Sequence, residues 1–260
     1  MKLNARRQRV SPLKDKPLRN PGQSLDEELQ RLWDEDLNTW LGMFLLPIIF
    51  TGYEWWRAVS NTPPQPLATL IVAIPISSYA CFRLYRLRLQ LRRLRMARDG
   101  EKAVGQYLSD LREKGYRVFH DIVGKGFNVD HVVICDRGIF TIETKTYSKS
   151  SSGKSTIHFD GETIQINGQL MERNAVEQAK AQAYWVTEVL KESTGRSFAV
   201  KPVVVFPGWF VESSKTKGPS DLWVLNPKAL PSFIDNEPQR VTPEDVKLAA
   251  YHLSRYIRTS

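Results

Sequence analysis

Two apolar stretches, Trp40 to Trp56 and Pro66 to Tyr85, divide this 260-residue chain into two unlike parts. The turn-rich Ser60-Asn61-Thr62-Pro63-Pro64-Gln65 separates them. Each approaches the ~20 residues that span ~30 Å of hydrocarbon, although Pro47, Glu54 and Pro75 interrupt the pattern. The charges around them decide the reading. Lys2, Arg6, Arg7, Arg9, Lys14, Lys16 and Arg19 precede the first stretch, and seven arginines from Arg83 to Arg98 follow the second. The connection at 60–65 carries no charge. This asymmetry predicts a transmembrane helical hairpin with both ends in the cytoplasm; a pair of buried or interfacial helices is the competing reading. Trp40, Tyr53, Trp55, Trp56, Tyr79 and Tyr85 would be its interfacial aromatics. The expected location is a membrane of the bacterial inner (cytoplasmic) type, with the C-terminal part in the cytoplasm.

The same charges explain the basic composition. Of the formal net charge of +9, residues 1–98 hold +8 and residues 99–260 only +1. A pI of 9.5 therefore does not mark the C-terminal part as a polyanion binder. Four segments are expected. Residues 1–39 form a cytoplasmic tail with a short amphipathic helix from Ser24, whose Leu25, Leu29, Leu32 and Leu37 roughly follow helical spacing. The tail has no apolar core or cleavage site of a secretory signal peptide. Residues 40–85 form the hairpin, residues 86–98 a basic juxtamembrane helix or linker suited to anionic headgroups, and residues 99–260 a globular domain. Membrane lipid is thus an expected partner through residues 40–98. Cys81 and Cys135 have no Cys or His neighbour at metal-ligand spacing and are expected to be free thiols in a reducing compartment.

From Asp99 onward the periodicity is that of a compact mixed α/β domain. A helix near 99–114 carries Val104, Leu108 and Leu111 on one face and ends at Gly115. Strands are expected at about 116–123, 129–135 and 139–145, the last two joined by the turn Asp136-Arg137-Gly138. A polar loop at 146–156 leads to short strands near 156–160 and 163–166. A long helix over about 173–193, strands at 200–206 and 222–225, and a helix capped by Thr242-Pro243-Glu244-Asp245 complete the domain.

The chemistry concentrates on one hairpin. In Thr141-Ile142-Glu143-Thr144-Lys145 a period of two puts Glu143 and Lys145 on the same face. If Cys135 faces Gly138, paired residue numbers sum to 273 and Asp130 lies opposite Glu143, with Cβ atoms ~4.5–5.5 Å apart. Two facing carboxylates repel unless a cation lies between them, and one lysine cannot fill both ligand shells. Oxygen-only ligation suits Mg²⁺ or Mn²⁺ rather than zinc; a surface salt-bridge ladder is the alternative. Glu101 shares the inward stripe of Val104 and Leu108, and is either a further ligand or a dipole-favoured first-turn residue. Asn174, Gln178 and Gln182 form a polar stripe able to meet a phosphate or orient Lys145, or else a solvated flank.

The order of these parts is similar to the nuclease-related domain family of the PD-(D/E)XK nuclease superfamily. The run Asn128-Val129-Asp130-His131-Val132-Val133, then Gly138-Ile139-Phe140-Thr141-Ile142-Glu143-Thr144-Lys145, then a helix with Gln178 carries the resemblance, which covers about 99–210. Lys201-Pro202-Val203-Val204-Val205-Phe206 also resembles a family segment. The resemblance implies a restriction-endonuclease-like mixed sheet flanked by helices. It implies metal ligation by Asp130 and Glu143, assistance to the attacking water by Lys145, and support from Glu101 and Gln178. Thr146-Tyr147 departs from the small or amide residues expected after the lysine. The resemblance implies an Mg²⁺-dependent nuclease, with DNA favoured over RNA, which the predicted hairpin would anchor in the membrane. A non-catalytic, membrane-tethered nucleic-acid-binding or adaptor protein on the same fold is the alternative. Lys149 and Lys154 of the 146–156 loop, with Asn174, are candidate phosphate contacts; a solvated loop is the competing reading for the two lysines.

Overall fold

In the computed structural model, residues 16–60, 62–149, 155–171, 175–213 and 221–259 are described. They form two compact units: residues 22–100, and residues 16–21 together with 101–259.

The first unit is helical. Helix α1 (Gln23–Arg31) runs through a π-helical turn at Leu32–Leu37 into α2 (Asn38–Val59), and α3 (Pro66–Glu113) begins after the proline-rich connection. The start of α1 is set by Gly22, whose φ of +70° a side chain would strain and whose carbonyl accepts from the Asp26 N–H. Leu32, Leu87 and Leu91 are buried together, with Leu29, Leu37 and Leu94 packed against them. Leu29, Leu32 and Leu37 of the short amphipathic segment therefore find their partner in the first unit's part of α3. Apolar periodicity alone could not name that partner, because several helices offer leucine stripes.

Further along, the packing stops. No residue of α2 is buried, and Ile48 (68% exposed), Leu67 (76%) and Ile71 (73%) present branched aliphatic side chains outward. Scattered exposed apolar residues are ordinary, but a continuous apolar sleeve is not. Among the described residues, one helix, α3, is long and apolar enough to cross a membrane. The sequence divided α3 into an apolar span, a basic linker and a domain helix. The backbone runs through all three without a break, because neither Pro75 nor Gly100 ends it.

The second unit is a mixed α/β domain. Its main sheet has the order β1 (Arg117–Val123), β2 (Asn128–Cys135), β3 (Gly138–Thr144), β7 (Val200–Val205), β9 (Trp223–Leu225). The first three strands are antiparallel, and β7 and β9 continue parallel to β3. A second sheet has the order β6 (Gln169–Leu170), β5 (Ile164–Ile166), β4 (Thr156–Phe159), β8 (Phe210–Ser213). Helices α4 (Ala175–Thr194), α5 (Leu230–Asp235) and α6 (Pro243–Thr259) complete the unit.

Alternation along the strands explains the layers. Val133, Cys135, Phe140, Ile142, Val203 and Val205 meet Val104, Leu108 and Leu111 of α3. Val132, Ile134 and Ile139 meet Val186 and Leu190 of α4 and Leu253 and Ile257 of α6. A third cluster joins Ile157 and Phe159 of β4 to Val204, Phe206 and the start of α4. The expected mixed sheet flanked by helices is present. Strands β6 and β8 and helix α5 are additional; two to six residues are too few to show a period.

Residues 16–21, part of the expected tail, lie in this second unit. Arg19 Nε pairs with Asp121 Oδ2 at 2.7 Å, and a Cβ on Gly105 would stand 2.4 Å from Pro21 Cγ. Both cysteines are free, Cys81 exposed and Cys135 buried.

Candidate active site

The β2–β3 ladder has the register expected from the turn: Cys135 faces Gly138, Ile134 faces Ile139, and His131 faces Ile142. The next pair in that register would be Asp130 and Glu143, and there the ladder parts. The Thr144 N–H donates to Asp130 Oδ2 at 2.7 Å instead of to a β2 carbonyl, while the Lys145 N–H stays on β7 through the Val205 carbonyl at 2.9 Å. Strand β1 parts from β2 at the same level: the ladder has His120 against His131 and Ile122 against Val129, but skips Asp121, whose φ is +50°. Asp130 thus sits where pairing fails on both sides.

Glu143 is enclosed, its side chain 5% exposed. Oε1 accepts from Lys145 Nζ at 2.6 Å and from Gln178 Nε2 at 2.7 Å; Oε2 accepts from Gln182 Nε2 at 2.6 Å. Gln178 Oε1 in turn accepts from Lys145 Nζ at 2.8 Å. Gln178 and Gln182 lie one turn apart on α4, so helical spacing aims both amides at one carboxylate. Gln182 Nε2 also reaches the Asn128 carbonyl at 2.9 Å, tying the start of β2 to the end of β3. Since both its partners are acceptors, the amide orientation is fixed, and Gln182 Oε1 is left buried without a hydrogen bond.

Electrostatics single out Asp130. Burial raises its carboxyl pKa well above the usual range, and the charges of Glu143 and Glu101 raise it further. The Thr144 N–H and the Lys145 charge oppose them. Three carboxylates therefore share one electrostatic neighbourhood, in which Glu101 acts from α3. Among the described residues, no three His, Cys, Asp or Glu side chains stand in a ready metal-binding cluster. The donor chemistry still fits a hard cation. Asp130 has its one hydrogen bond on Oδ2, and Glu143 Oε2, with a single donor, keeps a free lone pair.

Behind Asp130, on the α3 side of the sheet, His120 Nδ1 and His131 Nδ1 are 2.9 Å apart, their rings near perpendicular. Burial first, then the Arg112 charge, pushes the His120 pKa down to about 4; burial lowers that of His131 as well. With His131 Nδ1–H as donor, its buried Nε2 is an acceptor that needs no proton to place. This pair is not among the candidates read from the sequence. Its signal was present: two histidines on strands expected to neighbour one another.

At the rim, Tyr147 stacks on Phe206 with centroids 6.3 Å apart, and its carbonyl accepts from Trp209 Nε1. Lys149 Nζ lies 5.9 Å from the Trp209 ring centre. The departure at Thr146-Tyr147 thus anchors the chain leaving β3. The Oγ1 atoms of Thr144 and Thr146, on either side of Lys145, are buried without partners. Lys154 and Asn174 lie outside the described residues.

Residues 97–207 match the family model of the nuclease-related domain. Over 53 residues the chain is 42% identical to an uncharacterized protein of Bacillus anthracis. That stretch is 18% of this chain and 25% of the relative, so the match spans about a quarter of the relative's length. No solved structure matches the chain.

Proposed function

We propose that the nuclease-related domain carried by residues 97–207 hydrolyses phosphodiester bonds with a divalent cation, at the parted end of the β2–β3 hairpin. One observation carries this reading: Asp130 is crowded by two further carboxylates at the point where two ladders part, an arrangement that costs stability unless a proton or a cation relieves it. Asp130 and Glu143 would hold Mg²⁺ or Mn²⁺, with Glu101 in support. Bound there, the cation would supply the positive charge that polarises a phosphoryl oxygen.

The chain's own groups do the rest. Glu143 and Gln178 hold the Lys145 ammonium from two sides, so that its remaining proton is aimed rather than free to rotate. That donor stabilises charge developing on the phosphate and orients the attacking water. Gln178 positions Lys145, and Gln182 positions Glu143. Lys149, on the exposed rim, would meet a backbone phosphate; Lys154 and Asn174 are candidates for the same contact from the sequence alone. The superfamily resemblance favours DNA over RNA as the substrate. The nearly neutral charge of residues 99–260 points to local rather than domain-wide phosphate contacts.

The apolar sleeve of α2 and of the first part of α3, flanked by basic residues, supports a membrane hairpin that tethers the domain on the cytoplasmic side of an inner membrane. At its turn Glu54 pairs with Arg57 at 3.7 Å and accepts from the Gln65 N–H, so these two charges offset each other.

A second reading rests on the engagement of both Glu143 oxygens by Lys145, Gln178 and Gln182. In that reading the network is structural and the protein is a tethered nucleic-acid-binding or adaptor protein. Incubating the purified full-length protein with DNA and RNA substrates, with Mg²⁺ or with chelator, separates the two. Metal-dependent cleavage abolished by Lys145→Met supports the enzyme. Nucleic-acid binding without turnover supports the adaptor.

A further inference from the structure

We propose that the concavity between the start of α2 and the arginine-rich part of α3 is a binding site for the phosphate of an anionic phospholipid headgroup. The proposal rests on the membrane reading of residues 40–85 and names the lipid class that this region selects.

The concavity has a volume of about 570 Å³, and its polar lining is Asp36, Trp40, Arg83, Arg86, Gln90 and Arg93. The spacing of three, four and three residues places Arg83, Arg86, Gln90 and Arg93 within about 80° of the helix circumference. Leu87, Leu91 and Leu94 occupy the adjoining arc and are held by Leu29, Leu32 and Leu37. Packing of the leucines therefore fixes which way the arginines face.

None of these arginines is spent on an acid: Arg83 reaches the Tyr79 hydroxyl at 3.5 Å and the Trp40 ring, and Arg86 lies over the Phe82 ring. Arg83, Arg86 and Arg93 have no ion-pair partner among the described residues, and Asp36, the single acid in the lining, pairs with none of them. Arg83 and Arg86, one helical turn apart, line one concavity without an acid between them, and a phosphodiester offers the planar fork two acceptor oxygens at once.

Depth selects the source of that phosphate. Trp40 opens the first apolar stretch and Arg83 lies at the close of the second, and the Arg83 guanidinium stands 4.5 Å from the Trp40 ring centre. The Trp40 ring also meets Tyr79 edge-on at 5.5 Å. Aromatic side chains of this kind settle at the headgroup level. From Arg83 to Arg93 the helix rises ~15 Å, whereas the polar layer of one leaflet is ~5–8 Å deep. Arg83 and Arg86 therefore stand among the headgroups, and Arg93 stands beyond them. The first two carry the binding and the third contributes less.

The test uses full-length protein reconstituted into phosphatidylcholine vesicles with and without phosphatidylglycerol. Flotation reports insertion, and native mass spectrometry after detergent extraction reports retained lipid. Wild type is expected to float on both vesicles and to retain phosphatidylglycerol. Each of Arg83→Gln and Arg86→Gln should weaken retention roughly fivefold, together on the order of 25-fold, while insertion and helix content stay unchanged. Arg93→Gln should have a smaller effect. Lysine at positions 83 and 86 should restore only part of the loss, because the fork is gone. Unchanged retention in the inserted Arg83/Arg86 double variant would overturn the proposal. So would displacement of the lipid by inorganic phosphate alone, which would make the ligand a free anion, or by a DNA oligonucleotide, which would make it nucleic acid. Failure of the wild type to float on either vesicle would instead remove the membrane reading, and this site with it.

Discussion

The two ends of the β2–β3 hairpin differ in how they satisfy the backbone. At the turn end the ladder runs to Cys135 and Gly138, and the flanking side chains are apolar: Phe140 stacks on Trp223 at 5.4 Å inside the α3-side core. At the other end the ladder stops after His131 and Ile142, and a carboxylate, Asp130, takes the Thr144 N–H that a strand would have taken. The same two strands thus serve stability at one end and present charge at the other. Charges can be gathered only where the ladder gives way, because a closed ladder with both faces packed leaves no room for a ligand.

If that division holds, damage at the two ends should separate. Phe140→Ala should lower stability by about 3–5 kcal/mol, since it removes a buried ring and leaves a cavity, and the folded fraction should keep its specific activity. Lys145→Met should cut cleavage on the order of 10²–10³-fold, the scale of losing one aimed donor, at a smaller stability cost because Gln178 and Gln182 still serve Glu143. Denaturant titration beside a cleavage assay reads both. Equal losses of stability and activity in the two variants would erase the distinction.

The histidine pair marks the last rung before the parting. His120 has its pKa lowered to about 4, whereas an unfolded histidine titrates near ~6.5. The unfolded chain therefore binds the extra proton first. This contribution is fully present above about pH 6.5 and is lost as pH falls toward about 4, on the order of 3 kcal/mol in all. The lowered pKa of His131 acts in the same direction. Stability measured across that range should show an acid limb that His120→Asn flattens.

Much of this was legible in the sequence, for a definite reason. A two-fold period has no freedom once a turn is located, so Asp136-Arg137-Gly138 fixed the rung of every residue from His131 to Ile142, and the lysine–glutamate pairing followed. Helix α4 likewise showed its polar stripe through a 3.6-residue period. The parting of the ladder at Asp130 was not legible, because it depends on Asp121 at positive φ in a different strand. Nor was the packing of residues 16–21 on the sheet, where Arg19 meets Asp121, since a short polar segment carries no period. Gln182 was seen as one of a stripe, and only the fold showed it spanning both strands.

That spanning role supplies a smaller test. Gln182→Leu removes a donor from Glu143 Oε2 and from the Asn128 carbonyl, and should cost about 1–3 kcal/mol by leaving acceptors buried without partners. Gln182→Glu would place a further negative charge against Glu143 and should cost more. If both variants match wild type in thermal unfolding, the glutamine does not hold the parted ends together.

The smallest expected effect on the fold is at Asp130. Its carboxyl pKa is raised in the native state, so the native chain holds that proton to higher pH than the unfolded chain does. The group's contribution is therefore most favourable below the ordinary carboxylate range and is lost as pH rises through the raised value. At a pH above that raised value, Asp130→Asn removes the cost of an ionised carboxylate beside Glu143 and Glu101, while an amide oxygen can still accept from the Thr144 N–H. Without added cation the variant should be as stable as wild type or more stable. Magnesium at 100 times its Kd should raise wild-type stability by ~2.7 kcal/mol and leave the variant nearly unmoved. Thermal unfolding with and without the cation reads both quantities. A variant that is strongly destabilised yet keeps the full magnesium response would show that Asp130 braces the parted strands and that the cation binds elsewhere. The contrast between the two ends of the hairpin would then be one of shape alone.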